Sequence, residues 1–390
     1  MARIALVCEP PDGGAAEHVA QLVRGLGVHG HEPVLYAPRE FAPAVDFIPL
    51  TFRRDYAHPR DDARAFVRLA RELRGFDLVH AHSAKAGVLA RLAGWSARTP
   101  VVYTPHGFPF VGEMREARRV FSHVVERLLA PPTAAIIGVC AFERDLARAN
   151  QLHPRMLAVV HNGSPACPAG ATWAGGEAAG RGGAAREAAG REGAAREAAG
   201  REGAAREAAG ARRDVGAPVV GTVSALRRGK GVDVFLDAAP AILAAVPQAR
   251  LVIAGDGPQE AELKAHPNAG LARWEPYRPP AANHLRELDV YVLASSWEAF
   301  PIGPLEALAC GVPQVVTAVG GTREAVVPET GLLVPPRDPD ALAGAVIELL
   351  RDPERRERMR QASRERHAAH FTLDHMVAGT AAVYDRVLSR

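Results

Sequence analysis

The chain has 390 residues, 48% of them hydrophobic, with 47 basic residues against 44 acidic ones for a net charge of +3. That length points to two domains, the apolar fraction is enough to fill two cores, and the charge balance excludes the basic footprint of a nucleic-acid-binding protein. Arginine supplies nearly all the positive charge and Lys85, Lys230 and Lys264 are the only lysines, so a lysine carries more information here than an isolated arginine.

In chain order, the apolar run 3–8 (RIALVC) predicts a buried first strand. The sequence PPDGG breaks it, and Val19, Leu22, Val23 and Leu26 then recur at helical spacing over 15–27. Further strands are expected at 33–36, 77–81, 100–103 and 134–139, with helices between them. The second half repeats the pattern, with strands expected at 218–223, 250–254, 289–293 and 314–317, and helices at 231–245, 304–310, 339–351, 353–368 and 371–388. Alternating strands and helices imply parallel sheets covered on both faces. The chain thus reads as two Rossmann-like halves, and a ligand is expected in the crevice at the carboxyl ends of the strands.

Between the halves, residues 181–210 repeat a ten-residue unit, RGGAAREAAG and then REGAAREAAG twice. Glu187, Glu192, Glu197 and Glu202 each precede an arginine by four residues, which favours helix by a few tenths of a kcal/mol per pair. Each glycine costs about 1 kcal/mol relative to alanine, and no side chain larger than alanine offers a core. An exposed linker is expected there. The cysteines, Cys8, Cys140, Cys167 and Cys310, are scattered without a C-x-x-C, so neither a zinc site nor a disulfide framework is expected. The opening MARIALVCEP is too short for a signal peptide, and no run approaches the roughly 18–20 apolar residues of a membrane span. The expectation is a soluble, cytoplasmic protein.

The chemistry-bearing stretch is WEAFPIGPLEALACGVP, 297–313. Glu298 follows an expected strand, and Pro304 suits a helix start with Gly311 and Pro313 at its end. On that reading Glu306 lies in the first turn, and the free N–H groups of Phe300, Ile302, Gly303 and Leu305 face the crevice. GTVSALRRGKG (221–231) brings Arg227, Arg228 and Lys230 to the same edge, where cations oppose the helix dipole and suit a phosphate ligand. In GGTRE (320–324) a glycine turn permits close backbone approach.

Together these motifs resemble the retaining glycosyltransferases of family 4. The E-x7-E in SSWEAFPIGPLEALACGVP, SALRRGKG before it and GGTREAV after it carry the resemblance, with EPPDGGAAEHV, VHAHSAKAGVLARLAG, VVYTPHGF and VVHNG in the first half. HAHSAKAG and YTPHGF look most like members that build exopolysaccharide or other cell-envelope glycans. The resemblance covers nearly the whole chain apart from about 166–212. It implies the α/β GT-B fold, two Rossmann-like domains facing across a crevice: an acceptor domain over 1–165, a low-complexity insert over 166–212, a nucleotide-sugar domain over 213–370, and a last helix over 371–390 returning to the first domain. It also implies that Glu306 accepts from the ribose hydroxyls and that Glu298 reaches the donor sugar. Lys230 would bind the diphosphate, and His106 would lie beside the reacting carbon. The loop of Gly13 and Gly14 would close over phosphate and acceptor, and Phe300, Pro301, Ile302 and Gly303 would line the donor site.

One position departs from the family pattern. An arginine normally stands five residues before the lysine, and here Ala225 occupies that place. Arg227 or Arg228 is expected to supply the guanidinium, with Arg227 preferred because its fork suits phosphate. The string Asp338-Pro-Asp340 sits at an expected helix start and reads as a cap rather than a metal site. No cofactor or metal is therefore expected beyond the nucleotide-sugar co-substrate, and Lys230, a nearby arginine and helix N-termini would carry the leaving-group charge. His80 and His82 share one strand face, but no third metal ligand is visible near them in the sequence. Asp256 in AGDGP follows a strand, yet the full G-x-G-x-x-G of a dinucleotide enzyme is absent.

The partners expected are a nucleotide-sugar donor, with UDP favoured and GDP the alternative, and a glycan or polyprenyl-linked acceptor. The basic amphipathic segment 114–130 reads either as a peripheral contact with an anionic membrane or as a domain helix with a solvated basic face. Two rival functions remain: a sugar-nucleotide 2-epimerase of the same architecture, and a non-catalytic nucleotide-binding homologue, the latter suggested by Ala225.

Overall fold

The computed structural model describes residues 1–51, 58–112, 114–168 and 216–390; the repeat 181–210 lies outside the described residues. The first half builds a seven-stranded parallel sheet from β1 (Ala2–Cys8), β2 (His31–Ala37), β3 (Ile48–Pro49), β4 (Leu78–His82), β5 (Val101–Thr104), β6 (Ala135–Gly138) and β7 (Leu157–Val159), in the order β3-β2-β1-β4-β5-β6-β7. The second half builds a six-stranded parallel sheet from β8 (Val219–Val223), β9 (Arg250–Ala254), β10 (Ala272–Glu275), β11 (Val290–Leu293), β12 (Gln314–Thr317) and β13 (Gly331–Val334), in the order β10-β9-β8-β11-β12-β13. Both orders reverse direction beside the first strand of their sheet, the topological switch point where doubly wound sheets open a crevice.

Ile4, Ala5, Leu6 and Val7 are completely buried, as a strand covered on both faces requires. Every expected strand is present within a residue or two of its range. Four short strands were not foreseen: β3, β7, β10 and β13.

The last helix, Leu373–Leu388, does not pack on the second sheet. Met376, Val377, Ala381 and Tyr384 join the core formed by Ile4, Leu6, Val19 and Leu22 of the first half. Gly25 permits this crossing, because a Cβ there would stand 2.7 Å from Val377 Cγ2. Tyr384 completes the anchor, its hydroxyl 2.6 Å from His80 Nδ1. The segment after β7 also ties the halves together: Ser164 N–H donates to Phe371 O, and Asn162 Nδ2 donates to Phe300 O at 2.8 Å.

The expectation of no disulfide framework is corrected at one pair. Cys167 and Cys310 form a disulfide, while Cys8 and Cys140 are buried thiols. The pairing is invisible in sequence because 143 positions separate the partners, and only the folded chain brings the segment after β7 against the end of the helix Ile302–Cys310. Among the described residues, no helix is long and apolar enough to cross a membrane.

Candidate active site

The carboxyl ends of β8 and β11 place Lys230 and Glu298 in contact. Lys230 Nζ lies 2.6 Å from Glu298 Oε1, and Ser295 Oγ donates to the same oxygen at 2.7 Å. Glu298 is only 8% exposed, whereas the lysine head reaches the crevice. A buried carboxylate this close to a cation holds the Lys230 ammonium in one place. Gly320 and Gly321 let the neighbouring turn approach Glu298: a Cβ on Gly320 would stand 1.7 Å from Glu298 O, and one on Gly321 2.4 Å from Ala299 O. That is the close approach expected of GGTRE.

The helix carrying Glu306 runs from Ile302 to Cys310 and begins two residues before Pro304. Glu306 therefore sits in the second turn, not the first. Proline is acceptable anywhere in the first turn, where N–H groups have no partner in the helix, so Pro304 marked the start too late. Burial, reinforced by the charge of Glu17 on the opposite half, raises the Glu306 carboxyl to about 7. Tyr277 belongs to the same group of side chains, with its hydroxyl pushed up to about 12 by burial and then by Glu306 and Glu17.

The two candidate arginines separate. Arg227 Nη2 bonds Asp12 Oδ1 at 2.8 Å, across the crevice, and its Nη1 lies 3.9 Å from where a Gly13 Cβ would stand. Arg228 turns to the surface and pairs with Glu262 at 3.2 Å. The crevice-facing guanidinium is thus that of Arg227. Gly14 abuts the start of the Glu306 helix, with Ile302 Cδ1 3.4 Å from a notional Cβ. The Gly13–Gly14 loop, Arg227 and Ile302 consequently meet, while Phe300 and Pro301 are buried beneath them.

His106 follows β5 in a left-handed conformation (φ 51°). Glu143 holds this turn, accepting from Gly107 N at 2.5 Å and from Val139 N at 2.8 Å. Burial raises the Glu143 carboxyl to about 7, against the two N–H groups that favour its charge. Gly107 packs on Trp297 of the other half, where a Cβ would come within 2.5 Å of the ring. Glu324 joins the halves a second time, accepting from Ala141 N, Phe142 N and His161 Nε2 at 2.7, 2.8 and 3.1 Å. Sequence reading missed Glu143, Glu324 and Asn162 as organisers of the crevice. Their partners are backbone groups or residues far along the chain, and no local spacing signals them.

The expectation that His80 and His82 lack a third neighbour is also corrected. His80 is occupied by Tyr384 and Thr104, but His82 stands with His106 and His18, the last projecting from the helix Gly13–Gly25. Burial lowers His18 to about 4 and pushes His82 and His106 well below the usual range. Asp338 behaves as a cap, its Oδ1 accepting from Ala341 N at 2.9 Å.

Comparison with known proteins agrees with this geometry. The family described as Glycosyltransferase Family 4 matches residues 12–165, and that described as Glycosyl transferases group 1 matches residues 206–366. D-inositol 3-phosphate glycosyltransferase of Jonesia denitrificans is 35% identical over 171 residues, 40% of each chain. The GDP-mannose-dependent monoacylated alpha-(1-6)-phosphatidylinositol monomannoside mannosyltransferase of Corynebacterium glutamicum is 36% identical over 172 residues, 41% of this chain and 45% of that one. The chain thus spans less than half the length of these two curated relatives. Among solved structures, sucrose-phosphate synthase from Thermosynechococcus elongatus superposes with a TM-score of 0.76 at 20% identity over 100% of both chains. Anabaena HepE in complex with UDP and glucose gives 0.72 at 16% identity, over 99% of this chain and 100% of that one. These likenesses show the fold. With one glycosyltransferase domain matched in each half and the two sheets facing across a common crevice, the chain belongs to the family 4 glycosyltransferases and has the GT-B fold.

Proposed function

We propose that the protein is a retaining glycosyltransferase that moves a sugar from a nucleoside-diphosphate sugar to a glycan or lipid-linked acceptor of the cell envelope. The Lys230–Glu298 contact carries this reading. It sets a held ammonium at the strand edge where a diphosphate would sit, with Arg227 across the same opening and the N-terminus of the Ile302–Cys310 helix beside it. In this reading, departure of the diphosphate breaks the sugar–phosphate bond and leaves negative charge that Lys230, Arg227 and free N–H groups stabilise without a metal. The acceptor hydroxyl attacks from the same face, and the anomeric configuration is retained. Glu298 and Glu306 grip two ends of one donor rather than acting as a hydrolytic acid and base. The Arg227 position supports a catalytic protein over a non-catalytic homologue, since a guanidinium reaches the crevice despite Ala225.

UDP is the favoured nucleotide: the fold matches HepE, solved with UDP, although a GDP-mannose-dependent relative keeps GDP in contention. Calorimetric titration with UDP, GDP and ADP in chelator is expected to give micromolar binding of one of them, weakened about tenfold or more in Arg227→Ala. If no nucleotide bound, the donor site would be wrongly assigned. If Arg227→Ala bound normally, the replacement of the missing arginine would be wrong. A rival epimerase would convert its nucleotide sugar with no acceptor added.

The acceptor reading draws on the helix Glu116–Leu129. Its inward side is polar, with Glu126 in a bidentate pair with buried Arg91 at 2.8 and 2.9 Å. Its outward side is apolar, exposing Val120, Phe121, Val124 and Leu128, with Trp95 73% exposed on the neighbouring helix Ala84–Ala97. Arg118 and Arg119 are exposed on the same helix, and Arg98 and Arg155 line a hollow beside Trp95. An apolar stripe flanked by arginines suits an anionic bilayer surface. Co-sedimentation is expected with vesicles containing phosphatidylglycerol and not with neutral ones, and to fall severalfold in Phe121→Ser/Leu128→Ser. Equal binding to both vesicle types, or to neither, would remove the membrane contact.

A further inference from the structure

We propose that His18, His82 and His106 form a site for a borderline transition-metal dication such as Zn2+, and that its occupation shuts the crevice down. Each residue offers one ring nitrogen, and the three nitrogens lie within 4.8 Å of one another. Tetrahedral zinc with bonds of 2.0–2.1 Å needs nitrogens roughly 3.3 Å apart. Small ring rotations supply the difference, because His82 Nδ1 and His106 Nε2 are already 3.1 Å apart.

A further feature, the orientation of His18, points to a ligand. Asn162 Nδ2 donates to Phe300 O, which fixes the amide so that its Oδ1 faces His18 Nδ1 at 3.0 Å. His18 Nδ1 must then carry the proton, leaving Nε2 with its lone pair free. This is the outer hydrogen bond that orients metal-binding histidines.

Three neutral imidazoles make a set that suits zinc, copper, nickel or cobalt and disfavours magnesium and calcium, which prefer oxygen ligands. The three rings come from the Gly13–Gly25 helix, the end of β4 and the turn after β5. A bound ion would therefore tie His106 to the first half and withdraw it from the donor sugar, while its fourth position stays open to the crevice. The metal site stands independently of the donor assignment, since no residue of the Lys230–Glu298 group takes part in binding the ion.

The test is titration of the metal-free full chain with Zn2+ by chelator competition, with Co2+ as a spectroscopic probe. One tight equivalent is expected, with the intense visible absorption of tetrahedral cobalt. His18→Gln and His82→Gln should each lose it, Asn162→Ala should weaken it about 10- to 100-fold, and His80→Gln should retain it. Circular dichroism of each variant separates loss of the site from loss of the fold, and the wild-type cobalt spectrum requires no variant. Weak binding that survives His18→Gln and His82→Gln, or an octahedral cobalt spectrum, would overturn the proposal. Nucleotide binding that persists in zinc-loaded protein while sugar transfer stops would place the block at His106; undiminished transfer in zinc-loaded protein would refute the inhibitory role.

Discussion

Lys230→Met is expected to lower sugar transfer about 100- to 1,000-fold, the range found when one preorganised donor to a developing anion is removed. Methionine keeps most of the aliphatic stem and the packing around it, so the fold should persist. What disappears is the ammonium 2.6 Å from Glu298 Oε1. On the proposed reading two losses combine: the diphosphate loses a held cation as it departs, and Glu298, 8% exposed, keeps only Ser295 as a side-chain donor among the described residues. Removing one partner of a buried pair leaves an uncompensated charge, which is why breaking such a pair costs more than the pair contributes. Glu298→Gln alone should therefore damage transfer less than Lys230→Met, and the double variant should be no worse than the lysine variant alone. Additive losses would mean that the two residues act separately. Transfer within threefold of wild type in Lys230→Met would remove Lys230 from the leaving-group site.

Much of this arrangement could be read in advance, and the reasons differ by residue. The central strands are uninterrupted apolar runs because helices cover both sheet faces, so β1 and β9 announced themselves. β3 has two residues and β7 three, each pairing along one side at a sheet edge, and no periodicity emerges over so short a length. The Lys230–Glu298–Glu306 group was legible because each residue sits just beyond an obvious strand or within an obvious helix, and parallel topology brings those ends to one edge. His18 was not legible. It sits in an ordinary amphipathic helix, and its meaning arises only where β4 and β5 deliver His82 and His106 beside it. The same holds for Cys167 with Cys310 and for Glu143 beneath Gly107: each contact is tertiary, and local pattern says nothing about it.

Glu306→Gln should weaken nucleotide binding about 100-fold and remove the part of its pH dependence that the Glu306 carboxyl contributes. On the proposed reading the Glu306 carboxylate accepts from two ribose hydroxyls, and a hydrogen bond to a charged acceptor contributes roughly 1.5–3 kcal/mol. Without nucleotide the carboxyl titrates near 7, because burial and the Glu17 charge disfavour its ionised form. The nucleotide prefers the ionised form, so affinity should fall as pH drops through about 7, and binding near that pH should release a proton. The diphosphate also titrates in this range, and the difference between wild type and Glu306→Gln isolates the contribution of the protein. In the free protein the sign is reversed. A carboxyl raised from 4.5 to about 7 by folding makes the fold less stable as pH rises across that interval, and Glu306→Gln should remove that part of the slope. Glu17→Gln supplies an independent check: with the neighbouring charge gone, the affinity midpoint should move below 7. Calorimetry in buffers of different ionisation enthalpy measures both the affinity and the proton count. An affinity that does not change between pH 6 and 8, or a midpoint untouched by Glu17→Gln, would mean that Glu306 is not the group holding the ribose.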